Sequence, residues 1–165
     1  MKNWYLIHTK PRQENAAKEN LQRQGYEIYL PLASVRRRRR GRTIRVTEAM
    51  FPRYLFIHLS NQDDDWRPIR STIGVAAMVK FGQEPARVPD SLISSLLNRE
   101  DENGVLVLAV REFQSGDAVK IMEGPMEGYE GIFHSHTGKE RVSILLKIAQ
   151  KSIRVQLASD QIEPV

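Results

Sequence analysis

Cysteine is absent from this 165-residue chain. Disulfides and thiolate-held zinc are therefore excluded, and a reducing compartment is expected. Long apolar runs are also missing. No stretch reaches the roughly 18 residues of a membrane span, so no membrane contact is expected. The opening Met1-Lys2-Asn3-Trp4 lacks an apolar signal core, and retention in the cytosol is expected. Catalytic signatures are lacking too. There is no phosphate-binding glycine loop, no Gly-x-Ser-x-Gly and no spaced pair of carboxylates with a pocket. The run Asp63-Asp64-Asp65 has no further ligand spacing, and His134 with His136 is too small a set to hold a metal. No enzyme, cofactor or metal is expected.

What is present is an uneven charge. The net charge is +5, but residues 1–100 carry 18 Lys/Arg against 10 Asp/Glu, a net +8, whereas residues 101–165 carry 7 against 10, a net −3. A basic first unit suits a polyanion such as nucleic acid. The mildly acidic second unit suits a protein partner. Hydrophobic residues at 41 % are enough for a real core.

Local patterns give an α+β order for residues 1–100: strand, helix, strands, helix, strand, helix, folding as a sandwich. Trp4–His8 reads as a strand. A helical pattern runs from Pro11 to Gly25, with Ala17 and Leu21 on one face. Tyr26–Leu30 alternates as a strand. Arg36–Arg42, six arginines in seven positions, reads as a basic loop at a hairpin tip before Thr43–Val46. Its contacts with nucleic acid would be to phosphate, without reading sequence, and would weaken steeply with salt. Arg53–Leu59 is nearly all apolar and reads as a central strand. Val75–Val79 is another strand. Asp90 is placed to cap a helix with Leu92, Ile93, Leu96 and Leu97 in one stripe. Phe51, Tyr54 and Phe56 cannot all face inward from an alternating segment, so an exposed aromatic patch, and hence an interface, is expected.

Residues 101–112 read as a linker, although Val105-Leu106-Val107-Leu108 is apolar. Residues 113–165 carry two patterns. Short alternating segments at Val119–Met122, Tyr129–Phe133, Val142–Ile148, Ile153–Leu157 and Ile162–Val165, with turns at Glu123-Gly124-Pro125, Glu127-Gly128 and Thr137-Gly138, fit a small SH3-like β-barrel. Yet Leu145, Ile148, Ala149, Ser152, Ile153, Gln156 and Leu157 also lie near helical spacing, and no glycine or proline interrupts Val142–Ala158. Local propensity leaves barrel and helix both open.

The motif Gly116-Asp117-x-Val119 … Glu123-Gly124-Pro125-x-x-Gly128-Tyr129-x-Gly131 resembles a KOW motif. Trp4-Tyr5, Met50-Phe51-Pro52-Arg53-Tyr54-Leu55-Phe56 and Gly74-Val75 resemble the NGN domain of NusG-type transcription elongation factors. The likeness spans nearly the whole chain. Gly138-Lys139-Glu140-Arg141, Ile144-Leu145-Leu146 and Val79-Lys80-Phe81-Gly82 make it most similar to the RfaH antiterminator subgroup.

The resemblance implies a monomeric bacterial cytosolic factor that suppresses pausing and termination. It would bind the clamp helices of RNA polymerase β′ through Leu6, Phe51, Pro52, Tyr54, Phe56, Ile93 and Leu96 and bridge toward the β subunit. It implies contact with the non-template DNA strand through Lys10, Asn20, Arg23, Gln24, Arg40 and Arg42, together with Arg70, Ser71 and Thr72. Three places depart from the subgroup: Asn20 replaces a histidine, Ile73 replaces an arginine, and Asp65-Trp66-Arg67 replaces a His-Thr-Thr motif. The resemblance further implies that residues 113–165 dock as a helical hairpin. Glu48 would pair with Arg141, and Phe133 and Leu145 would lie against Ile93. Once released, these residues would refold to a barrel that meets a small-subunit ribosomal protein. A rival reading, a ribosome-associated KOW protein holding structured RNA, calls for a basic C-terminal unit, which the −3 charge does not provide.

Overall fold

The computed structural model describes residues 2–107, 127–135 and 137–161. In chain order the strands and helices begin with β1 (Lys2–Thr9), α1 (Glu14–Arg23), β2 (Glu27–Tyr29), β3 (Leu32–Arg39), β4 (Arg42–Ala49) and β5 (Tyr54–Ser60). A 3-10 turn, Arg67–Ser71, precedes β6 (Val75–Met78), and β7 (Lys80–Phe81), β8 (Glu84–Pro85) and β9 (Arg87–Val88) follow. The chain continues through α2 (Asp90–Asn98) and β10 (Val105–Val107) to α3 (Glu127–His134) and α4 (Gly138–Gln161).

β1 and β5 form the central antiparallel pair, in register from Lys2↔Ser60 to His8↔Tyr54. β2 extends the sheet beyond β5, while β6 and β9 share the other edge of β1. Period-two alternation splits this sheet into two faces. Tyr5, Ile7, Leu55, Ile57 and Leu59 pack with Ala17 and Leu21 of α1 and with Ile69. Leu6 and Phe56 point the other way, into a second core with Ala33, Val35, Leu92, Ile93 and Leu96. A separate three-stranded sheet, β10-β3-β4, borders that second core.

Several local readings need correction. α1 begins at Glu14, with Pro11 in the turn before it. Asp90 is the first helical residue of α2 and makes no side-chain cap, the N-cap being Pro89. The arginine run is not a loop: Arg36–Arg39 belongs to β3, and only Arg40-Gly41 turns the chain, both at positive φ (51° and 76°). Two consecutive positive φ values are what a tight two-residue hairpin requires. Within the expected linker, Val105–Val107 pairs parallel with Leu32–Ser34, and Leu106 is buried.

Of the two forms left open for the C-terminal unit, the structure holds the helical one. Tyr129–Phe133, Val142–Ile148 and Ile153–Leu157 are helical here, not barrel strands. The expected strands at Val119–Met122 and Ile162–Val165 lie outside the described residues. α4 buries Leu145, Ala149 and Ile153 at i, i+4, i+8, a stripe that needs an apolar partner surface. α3 adds Tyr129, Ile132 and Phe133, and all but Ile153 join the second core of the sandwich. Where two local patterns coexist, this tertiary contact selects the helix.

Candidate functional site

The expected interface is covered. Leu6, Phe51, Phe56, Ile93 and Leu96 are all buried, Tyr54 is half-buried and Pro52 is exposed. Phe51 meets Phe56 edge-on at 5.8 Å. Of the expected exposed aromatic patch, Phe51 and Phe56 are instead buried, and Tyr54 keeps only part of its surface accessible. In this state α3 and α4 lie over the face, with Tyr129, Ile132, Phe133, Leu145 and Ala149 filling it.

Polar contacts fix the edges of that cover. The Ser91 and Tyr129 hydroxyls lie 2.9 Å apart. Arg99 donates to Glu130 (2.5 Å) and places its guanidinium 3.7 Å over the Phe133 ring. These contacts were not among the expected site residues. Arg99 next to the Leu92–Leu97 stripe, in a chain with an acidic second unit, was the one available signal.

Glu48 and Arg141 are brought together as expected. The Arg141 side chain is fully buried, donates from Nε to the Met50 carbonyl (2.7 Å) and from Nη2 to Glu48 Oε1 (3.2 Å). Its Nη1 has no partner among the described residues. Burial pushes the Arg141 pKa down and Glu48 opposes that shift. The same Glu48 oxygen accepts from Arg37 Nη2 at 2.7 Å, a partner that sequence reasoning missed. Register could have found it, since Glu48 pairs with Ala33 and Arg37 lies four residues along β3, on the same face of the ladder.

A second patch forms where α1 meets the loop before β6. Asn20 Nδ2 donates to the Ile73 carbonyl (3.1 Å), and Gln24 Nε2 donates to Thr72 Oγ1 (2.8 Å), which itself donates to the Pro68 carbonyl (2.9 Å). Arg23 donates to Asn20, and the Lys10 amide donates to the Gly74 carbonyl. Lys10, Arg23, Arg70 and Ser71 are exposed around this frame, and Ile73 is 74 % exposed. Arg40 and Arg42 sit at the tip of the β3–β4 hairpin. No hydrogen bond or ion pair between described residues joins that tip to the α1 patch. Near the patch, His8 stacks on Tyr54 (5.0 Å), and burial and Arg53 lower its pKa, keeping it neutral at pH 7.

Gly74 holds the patch together. At φ +97° it lets the loop approach α1 so closely that a Cβ would lie 2.7 Å from the Ala17 backbone nitrogen. Gly74→Ala is expected to destabilise the N-terminal sandwich by about 1–3 kcal/mol, through overpacking against backbone. A thermal midpoint equal to wild type would refute this.

The α/β sandwich with a helical hairpin seated on its apolar face defines a two-part protein: a sandwich and the helices that cover it. A family model described as "Transcription termination factor nusG" matches residues 2–97. Curated relatives extend the similarity over the full length. The transcription termination/antitermination protein NusG of Thermus thermophilus is 26 % identical over 96 % of each chain. Those of Bacillus subtilis (25 %, 98 % of each) and Halalkalibacterium halodurans (24 %, 99 % of each) are comparable. A solved structure titled "Domain interaction in Thermotoga maritima NusG" aligns with a TM-score of 0.49 at 25 % identity, covering 77 % of this chain and 76 % of that one. The chain belongs to the NusG family. Among the described residues no helix is long and apolar enough to cross a membrane.

Proposed function

We propose that this chain is a transcription elongation and antitermination factor of the RfaH type, held closed by its own C-terminal helices. The observation that carries the reading is the burial of Leu6, Phe51, Phe56, Ile93 and Leu96 beneath a segment that also carries a barrel pattern. A face whose cover can refold is one that can be released. The names of the relatives, termination/antitermination proteins, support the transcriptional role.

In the open form, Leu6, Phe51, Pro52, Tyr54, Phe56, Ile93 and Leu96 bind the clamp helices of RNA polymerase β′, and the domain bridges to the β subunit. The α1 patch and the arginine hairpin hold the displaced non-template strand by its phosphates. The bridge binds the closed-clamp state better than the paused state and so shifts that population without chemistry. The freed residues 113–165 form the KOW barrel and meet a small-subunit ribosomal protein. While the cover is docked, apparent polymerase affinity falls in proportion to the open fraction.

The test is binding to core RNA polymerase. A chain opened by Glu48→Ala is expected to bind at least about tenfold tighter than wild type, a shift of about 1.4 kcal/mol. Adding Tyr54→Ser, a half-buried ring at the rim of the face, should reverse most of that gain. Equal binding by wild type and opened chain would overturn the proposal.

A further inference from the structure

Glu48 is the only carboxylate in the hairpin from Leu32 to Ala49, against seven arginines. Register sorts those arginines. Arg36 faces Arg45, and Arg38 faces Thr43, on one side of the ladder. Arg37 (opposite Ile44) and Arg39 (opposite Arg42) lie on the side that carries buried Val35 and Glu48. Like charges directly opposite repel, so the tip is under electrostatic strain that phosphate would relieve. Arg37 alone reaches inward, to the oxygen that also holds the C-terminal cover. It takes the shorter contact, 2.7 Å against 3.2 Å for Arg141.

We propose that a nucleic-acid backbone bound to the arginine hairpin locks the C-terminal helices down, by drawing Arg37 away from Glu48. This rests on the reading that the hairpin binds phosphate. Arg37 is 40 % exposed and can exchange its carboxylate for a phosphate, whereas Arg141 is fully buried and out of a phosphate's reach. Glu48, once released from Arg37, turns wholly to Arg141. A guanidinium can donate two parallel N–H bonds to one carboxylate, and Nη1, which has no partner among the described residues, gains one. Sequence-independent phosphate contact therefore favours the closed factor away from the polymerase; once a partner occupies the apolar face, the hairpin still holds the strand, but more weakly. The linkage is reciprocal: a docked cover raises the hairpin's affinity for polyanion by the same factor.

Hydrogen exchange across residues 141–153 of the full chain tests the lock, at roughly 50 mM salt with and without a mixed-sequence DNA duplex of about 20 base pairs. Duplex is expected to slow exchange about fivefold, the effect of satisfying one buried donor. Arg37→Gln should show the slowed exchange without DNA and gain nothing more from it. Arg38→Gln, on the opposite side of the ladder, should weaken duplex binding and leave DNA-free exchange as in wild type. Bound duplex with unchanged or faster exchange, or faster exchange in Arg37→Gln, overturns the lock and leaves phosphate binding standing. A duplex that does not bind overturns both.

Discussion

Gly138→Val is expected to open the protein. A Cβ at this position would lie 2.5 Å from Cγ and 2.8 Å from Cδ of Pro52. A proline ring cannot swing aside as a lysine end would, so α4 must lift. The clash falls at the first residue of α4, directly over the aromatic face. Strain of this kind is worth about 1–3 kcal/mol, and here it acts on docking, because Gly138 touches the sandwich only from outside. Two measurements check it. Binding of an environment-sensitive dye should rise as Phe51, Phe56 and Leu96 become accessible. Helical ellipticity should fall, since a helix that loses its partner surface keeps little intrinsic stability. Unchanged ellipticity with no added dye binding would rule the release out.

Glu48→Ala is expected to release the same helices by another route. It removes the carboxylate that accepts a hydrogen bond from Arg141, leaving a fully buried guanidinium with the Met50 carbonyl as its remaining hydrogen-bond acceptor among the described residues. Stripping one partner from a buried pair costs about 3–5 kcal/mol, because the remaining charge is uncompensated. Exchange protection across residues 141–153 should collapse while β1 and β5, whose register does not involve Glu48, stay protected. Loss of protection in both regions at once would mean that Glu48 supports the sandwich itself. The two acids-and-bases experiments have opposite signs: removing Arg37 tightens the cover, and removing Glu48 frees it. A purely structural hairpin would weaken in both.

Much of the sandwich was legible. Trp4–His8 and Arg53–Leu59 announce themselves by alternation, and the Ala17/Leu21 and Leu92–Leu96 stripes by helical spacing, because burial on one face leaves a period in the sequence. Other features were not legible, for physical reasons. The arginine run resembles a loop because strands rarely stack like charges, and nothing local reveals that β3 continues to Arg39. Val105–Val107 is recognisable as a strand only through its parallel neighbour β3, which lies far away in sequence. The fate of residues 127–161 depends on what they touch. Val142–Ile148 satisfies both periods, and the choice rests with Phe56, Ile93 and Leu96 on the other unit. Leu6, Phe51, Phe56, Ile93 and Leu96 do share one core, yet their burial could not be read from residues 1–100 alone.

β10 adds a last consequence. By pairing with β3 it moors the chain at the root of the arginine hairpin, beside the face that α3 and α4 occupy. The cover is part of the same chain as that mooring. A tethered segment meets its own site at an effective concentration on the order of millimolar. Dilution therefore leaves the balance between shut and open untouched. On the proposed function, any partner that takes this face must outcompete a resident rival joined to the same chain.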